Sequence, residues 1–191
     1  DLSTAVNTVT YKIGDTEYTR QSIASNPDDV IAMYITASRP EAITMELELN
    51  LLRNAEVIAS GNQLIYTGNA EFEKHGRGGV LFEGRIAVEI KGGTIKADGK
   101  KLLIDKATEV TLLSDVRTNY KNTTFAGYDY KQKCKETIEA AAKKSFKTLR
   151  NTHVEDYAPL FSRVALSFGD NGKLNHLPND QRWARVKAGE S

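Results

Sequence analysis

Apolar and polar residues alternate along most of the chain between Val9 and Leu113. Val9, Tyr11 and Ile13 are separated by Thr10 and Lys12, and Ile43, Met45, Leu47 and Leu49 by Thr44, Glu46 and Glu48. A two-residue period sends successive side chains to opposite faces of a strand, one face buried and the other solvated. Gly14-Asp15 lies between two such runs, Val9–Ile13 and Glu17–Arg20, and tolerates the backbone of a tight turn, which predicts a hairpin. Val30–Thr36 is apolar on both faces and reads as a central strand, ended by Arg39-Pro40 because proline cannot donate to a ladder. Val57-Ile58 and Leu64–Tyr66 flank Ser60-Gly-Asn62 as a second hairpin. Val80, Phe82, Ile86, Val88 and Ile90 share one side of a long strand, and Gly84 occupies an interior position of that side, the mark of a bulge or of a close contact. Thr94–Ala97, Leu102–Ile104 and Val110–Leu113 complete the series, set off by Gly92-Gly93 and Asp98-Gly99. Roughly ten strands at turn spacings of about 8–12 residues predict a mainly-β fold, a β-sandwich.

Near Asp129 the period changes. Asp129 with Gln132 forms a capping pattern, and Cys134, Ile138, Ala141, Ala142, Ser145, Phe146 and Leu149 recur at steps of three and four, which predicts a helix over 131–150 with one apolar face. Thr152 and Glu155 repeat the cap before Val154, Tyr157, Leu160 and Phe161, so a second helix is expected after a bend at Asn151, kinked or shortened by Pro159. Both apolar stripes should lie against the sandwich. A final strand is expected over Arg163–Phe168, followed by a polar tail through Leu177–Trp183. The organisation is therefore a β-sandwich over 1–128, a helical segment packed on it over 129–162, and a last strand and linker over 163–191.

At 191 residues and 40% hydrophobic content the chain can bury one sizeable core. Its 26 basic and 25 acidic residues nearly cancel, so no overall field favours nucleic acid or an anionic membrane. No apolar run is long enough to cross a bilayer, and no membrane insertion is expected. The sequence starts at Asp1, without an initiator methionine or a leader, and reads as a mature product or an excised segment. Cys134 is the single cysteine; it has no disulfide partner within the chain and falls on the apolar helix stripe as a small buried hydrophobe.

Candidate chemistry is sparse. Gly76-Arg77-Gly78-Gly79 lacks the spacing of a phosphate-binding loop, and His75, His153 and His176 lack metal-ligand spacing, so no metal or cofactor is expected. Glu46 and Glu48 share the solvated face of their strand and are read as carboxylates left in water rather than as an acid/base pair. No serine, threonine or cysteine sits in a nucleophile motif, and no catalytic residue is assigned. Two loops can touch carbohydrate or a neighbouring domain: His75 and Arg77 beside Lys74, and the aromatic segment holding Tyr120, Phe125, Tyr128 and Tyr130. The plainer alternatives are a solvated loop for the first and packing between helix and sandwich for the second. Trp183 is expected to anchor the exit segment to a partner domain.

Ordered strings then carry a resemblance. Asp1–Ala5, Val9-Thr-Tyr11, Tyr18-Thr-Arg20, Ala24–Ile31 and Thr36–Pro40 are similar to the N-terminal domain of the family 95 glycoside hydrolases, the α-L-fucosidase-like enzymes. The likeness continues through Gly68-Asn-Ala70, Phe82-Glu83, Lys143–Phe146, His153–Tyr157, Leu160–Val164 and Leu177–Arg182. It implies a supersandwich that packs on an (α/α)6 barrel holding the catalytic carboxylate of an inverting hydrolase, outside this chain. It also implies an upstream stretch of the same sandwich that nothing here matches, so the fragment is expected to be an incomplete sandwich prone to self-association.

On this reading the chain is a non-catalytic module that braces the barrel and edges the substrate cleft. It would meet oligosaccharide through its parent enzyme, in the periplasm or outside the cell. A free-standing carbohydrate-binding module and a structural assembly domain are the alternatives.

Overall fold

The computed structural model describes residues 1–52, 55–70, 79–120, 129–166 and 172–189. Ten strands come first: β1 (Asn7–Ile13), β2 (Thr16–Ser25), β3 (Val30–Ala37), β4 (Ile43–Glu48), β5 (Ala55–Ser60), β6 (Gln63–Ala70), β7 (Val80–Lys91), β8 (Thr94–Asp98), β9 (Lys101–Ala107) and β10 (Glu109–Thr118). Helices α1 (Tyr130–Ala142) and α2 (Phe146–Phe161) follow, then a 3₁₀ turn (Gly172–His176) and α3 (Asn179–Lys187). The strands form an antiparallel seven-stranded sheet, ordered β1-β2-β3-β10-β7-β6-β5, and a three-stranded sheet, β4-β9-β8.

The strand period decides how the layers form. Ile35, Leu64, Val88 and Val110 point from the large sheet toward Ile43, Leu102 and Ile104 of the small one, which makes the dry interior of the sandwich. One residue along, Ala32, Ala87 and Leu113 point the other way, join Ile23 and Val30, and meet Ile138, Ala141, Phe146 and Leu149 of the helical segment. The centre of the large sheet is thus covered on both faces, which explains why Val30–Thr36 carries apolar residues in both phases. The N-terminal segment is held under the same helical layer: Val6 is buried with it, and the His153 imidazole on α2 bonds through Nε2 to the Thr4 carbonyl at 3.0 Å. Gly93 turns the chain between β7 and β8 at φ 67°, where an added Cβ would lie 2.2 Å from the Asp105 carbonyl oxygen. Only glycine satisfies both demands.

The mainly-β sandwich and its strands match expectation. Differences lie at the helix ends and beyond. The break between the first two helices falls at Lys143–Ser145 rather than at Asn151. Ser145 Oγ accepts from the Thr148 amide at 3.1 Å and starts α2, whereas the Thr152 hydroxyl donates back to the Thr148 carbonyl at 2.9 Å in mid-helix and caps nothing. Pro159 is accommodated in the last turn of α2.

The chain divides into two compact units, Asp1–Leu160 and Phe161–Ser191. In the second, the described part of the expected final strand, 163–166, is not a strand; Val164 and Leu166 are exposed, with no ladder partner among the described residues. The segment read as a polar tail and linker holds α3, with Pro178 before it, Asp180 in its first turn and Arg185 and Lys187 in its last. That arrangement of charges suits the helix dipole. Trp183 is exposed on α3, with the Lys187 ammonium 5.6 Å from its ring centre.

Candidate functional site

A cleft of about 700 Å³ opens where α2 begins, over the helix-covered face of the large sheet. The pairing register builds its floor. Gln21, Tyr34, Thr111 and Glu89 stand side by side on β2, β3, β10 and β7, and the next row of the same face carries Glu109 opposite Lys91. One row further in, the residues become the apolar Ile23, Ala32, Leu113 and Ala87 of the core. The floor turns polar beyond the buried rows, and α2 supplies the wall with Phe146, Lys147 and Arg150. Phe146 stacks on Tyr34 with ring centres 4.9 Å apart.

Electrostatics in the cleft divide into tied and untied groups. The Tyr34 hydroxyl donates to Glu109 Oε2 at 2.6 Å, and the Lys91 ammonium donates to Oε1 at 2.8 Å. These bonds hold the Glu109 carboxyl below its ordinary range, Lys91 contributing most and Tyr34 next. Burial, reinforced by Glu109, pushes the Tyr34 phenol up to about 12. Lys144 at the rim pairs with Asp28, and the Asn62 amide donates to Glu89 at 3.2 Å. Lys147 and Arg150 form no ion pair among the described residues, and the buried Arg150 Nε has no hydrogen-bond partner there.

Farther along the same face, beneath α1, lies a second polar group. Glu83 binds Arg85 at 2.7 Å, and Asp115 binds Arg117 at 2.8 Å. Arg117 Nη2 also lies 2.7 Å from Asp29, close enough for an ion pair though outside hydrogen-bond alignment. Glu83 faces Arg117 across β7 and β10, and Arg85 faces Asp115, so charges of opposite sign alternate in both directions. Burial alone would lower the Arg117 pKa; Asp115 and Asp29 outweigh it and raise it. Cys134 is buried beside this group, its thiol contacting the Asp115 carbonyl oxygen at 3.6 Å. Burial, with Asp115 second, pushes the thiol up to about 12. These carboxylates are neutralised in place, which suits a structural role.

The residues singled out from sequence lie elsewhere. His75, Arg77, Phe125 and Tyr128 fall outside the described residues. Tyr120 follows β10 and is exposed. Glu46 stands on the outer face of β4, paired with Lys101 at 2.8 Å, as a solvated strand face should. The cleft escaped sequence reading because Gln21, Tyr34, Glu89 and Glu109 come from four strands that only the sheet order brings together. The polar phase of β7, where Glu89 and Lys91 alternate with Val88 and Ile90, was its one local trace.

Residues 1–123 match the sequence family described as "Glycosyl hydrolase family 65, N-terminal domain". Alpha-L-fucosidase 2 of Arabidopsis thaliana is 29% identical over 87% of this chain. A protein of Aspergillus niger, described as alpha-fucosidase A, is 28% identical over 92%. The chain spans only 22% and 24% of the lengths of these two relatives. A solved structure described as a kojibiose phosphorylase from human microbiome superposes with a TM-score of 0.51 at 13% identity, over 82% of this chain and 23% of the other. That likeness concerns the fold alone.

Proposed function

Because the chain belongs to the family of glycosyl hydrolase family 65 N-terminal domains, we propose that it is the non-catalytic β-sandwich module of a longer enzyme resembling the family 95 α-L-fucosidases, and that it braces that enzyme's (α/α)6 catalytic barrel. Coverage carries this reading: most of the chain aligns with two fucosidase relatives while spanning less than a quarter of each. The three-layer build supports it, because a sheet whose central strands are covered on both faces makes a stiff platform. A surface for docking is present as well. Ala24, Ile31, Ser114 and Val116 share the sandwich-facing side of the large sheet, yet Ile31 is 60% and Val116 53% exposed. The catalytic region of the same protein is the occupant we assign to this strip, and Tyr120, Tyr128, His75 and Arg77 are the loop residues we assign to the rim of its substrate cleft. On the family resemblance we also place the protein outside the cytoplasm, which cell fractionation checks.

The test uses 4-nitrophenyl α-L-fucoside. Turnover is expected from the longer protein and none from the 191-residue chain; turnover by the purified chain alone overturns the reading. In trans, the chain should raise the melting temperature of the separately expressed catalytic region, and Ile31→Lys should remove that effect. Self-association of the chain through the same strip, with no effect on the catalytic region, would favour the assembly reading instead.

A further inference from the structure

We propose that the cleft at the start of α2 binds a carboxylated sugar, a hexuronate. The inference does not depend on the bracing role. It starts from a mismatch of charge: Glu109 is tied by Tyr34 and Lys91, whereas Lys147 and Arg150 have no ion partner among the described residues. Lys147 and Arg150 are three residues apart on one helix and both line the cleft, which gives that wall two positive charges. The Arg150 Nε proton is buried and unmatched. The planar guanidinium fork of an arginine matches a carboxylate best.

The opposite side of the cleft calls for a different group. Thr111 and Glu89 present a hydroxyl and a carboxylate from the paired strands β10 and β7, and Gln21 presents an amide on β2, on the far side of Tyr34. Strands lie about 4.8 Å apart, so Thr111 and Glu89 can meet two hydroxyls of one sugar ring, while Gln21, two strands from Thr111, reaches the far end of the ligand. Glu89 accepts from hydroxyls but repels a compact anion placed against it. The cleft therefore has an anion-seeking wall and a hydroxyl-seeking floor, the polarity of a ring with a carboxylate at one end and hydroxyls along the other. A volume of about 700 Å³ fits a monosaccharide or disaccharide.

The experiment is calorimetric titration of the 191-residue chain with sodium D-glucuronate, D-glucose and sodium acetate at constant ionic strength. Saturable glucuronate binding is expected, at least about tenfold tighter than glucose or acetate, given the strength of charge-assisted bonds together with the hydroxyl contacts. Arg150→Gln should weaken it by about tenfold or more. Lys147→Glu, at an exposed position, should weaken it similarly with the melting temperature unchanged, which keeps the test valid if the Arg150 variant unfolds. Equal binding of acetate and glucuronate would mean an adventitious anion only and overturns the proposal. So does the absence of saturable heat at millimolar glucuronate, or an affinity indifferent to both substitutions.

Discussion

The Tyr66 ring on β6 occupies the space where Gly84 on β7 has no side chain: a Cβ built on Gly84 would lie 2.0 Å from Tyr66 Cζ. The two residues are directly paired across the strands. Of the two readings open to this glycine, the structure selects close contact; the β7–β10 register runs without interruption from Phe82 to Lys91, so there is no bulge. An aromatic laid across a cross-strand glycine recovers the packing that the missing side chain would have provided.

Gly84→Ala should therefore destabilise the chain by about 1–3 kcal/mol, because the Tyr66 ring must be displaced. Tyr66→Leu frees the space, and the double variant should lose less than the sum of the two single losses. Urea unfolding of the four proteins measures the coupling; strict additivity would mean that the contact does not constrain the sheet.

The buried charge group should respond to unbalancing. Arg85→Met leaves the Glu83 carboxylate without its 2.7 Å partner in a site where Glu83 is only 6% exposed. Removing one member of a buried pair costs about 3–5 kcal/mol. Chemical unfolding should show a loss of that order for Arg85→Met and a smaller one when Glu83→Leu accompanies it.

Cys134 should be chemically silent in the folded protein. Its thiol is fully buried and pushed up to about 12, so very little thiolate exists near neutrality and reagents have no path to it. Iodoacetamide at pH 8 should label it only after unfolding, which mass spectrometry checks. The folded value lies above the unfolded one of about 8.5, so this contribution to stability is complete below that pH. It declines as pH rises toward the folded value of about 12.

Glu109 makes the opposite prediction. Its carboxyl is lowered by Lys91 and Tyr34. The contribution is present above the unfolded carboxylate pKa of about 4.3 and is lost as pH falls through the lower folded value. Glu109→Gln should flatten the acid limb of a stability–pH curve, and Tyr34→Phe should flatten it in part. Urea midpoints between pH 7 and the acid limit measure this.

The strands were legible because period is local. Ile43, Met45, Leu47 and Leu49 already declare which face turns inward, and Cys134, Ile138 and Leu149 declare a helix face that must be covered. Capping was less legible: Ser145 and Thr152 are both competent caps by type, and where the helix breaks was settled by which hydroxyl met an open amide. The strand expected at Arg163–Phe168 shows the limit of period, since an apolar alternation becomes a strand only when a neighbour supplies its hydrogen bonds. The sequence by itself determined the fold class and the phase of each strand. Sheet order was decided in three dimensions: β10 inserts between β3 and β7, and this placement alone brings Gln21, Tyr34, Glu89 and Glu109 onto one floor and sets Glu83 against Arg117. Nothing local encodes such neighbours, because their proximity arises from packing two apolar faces at once.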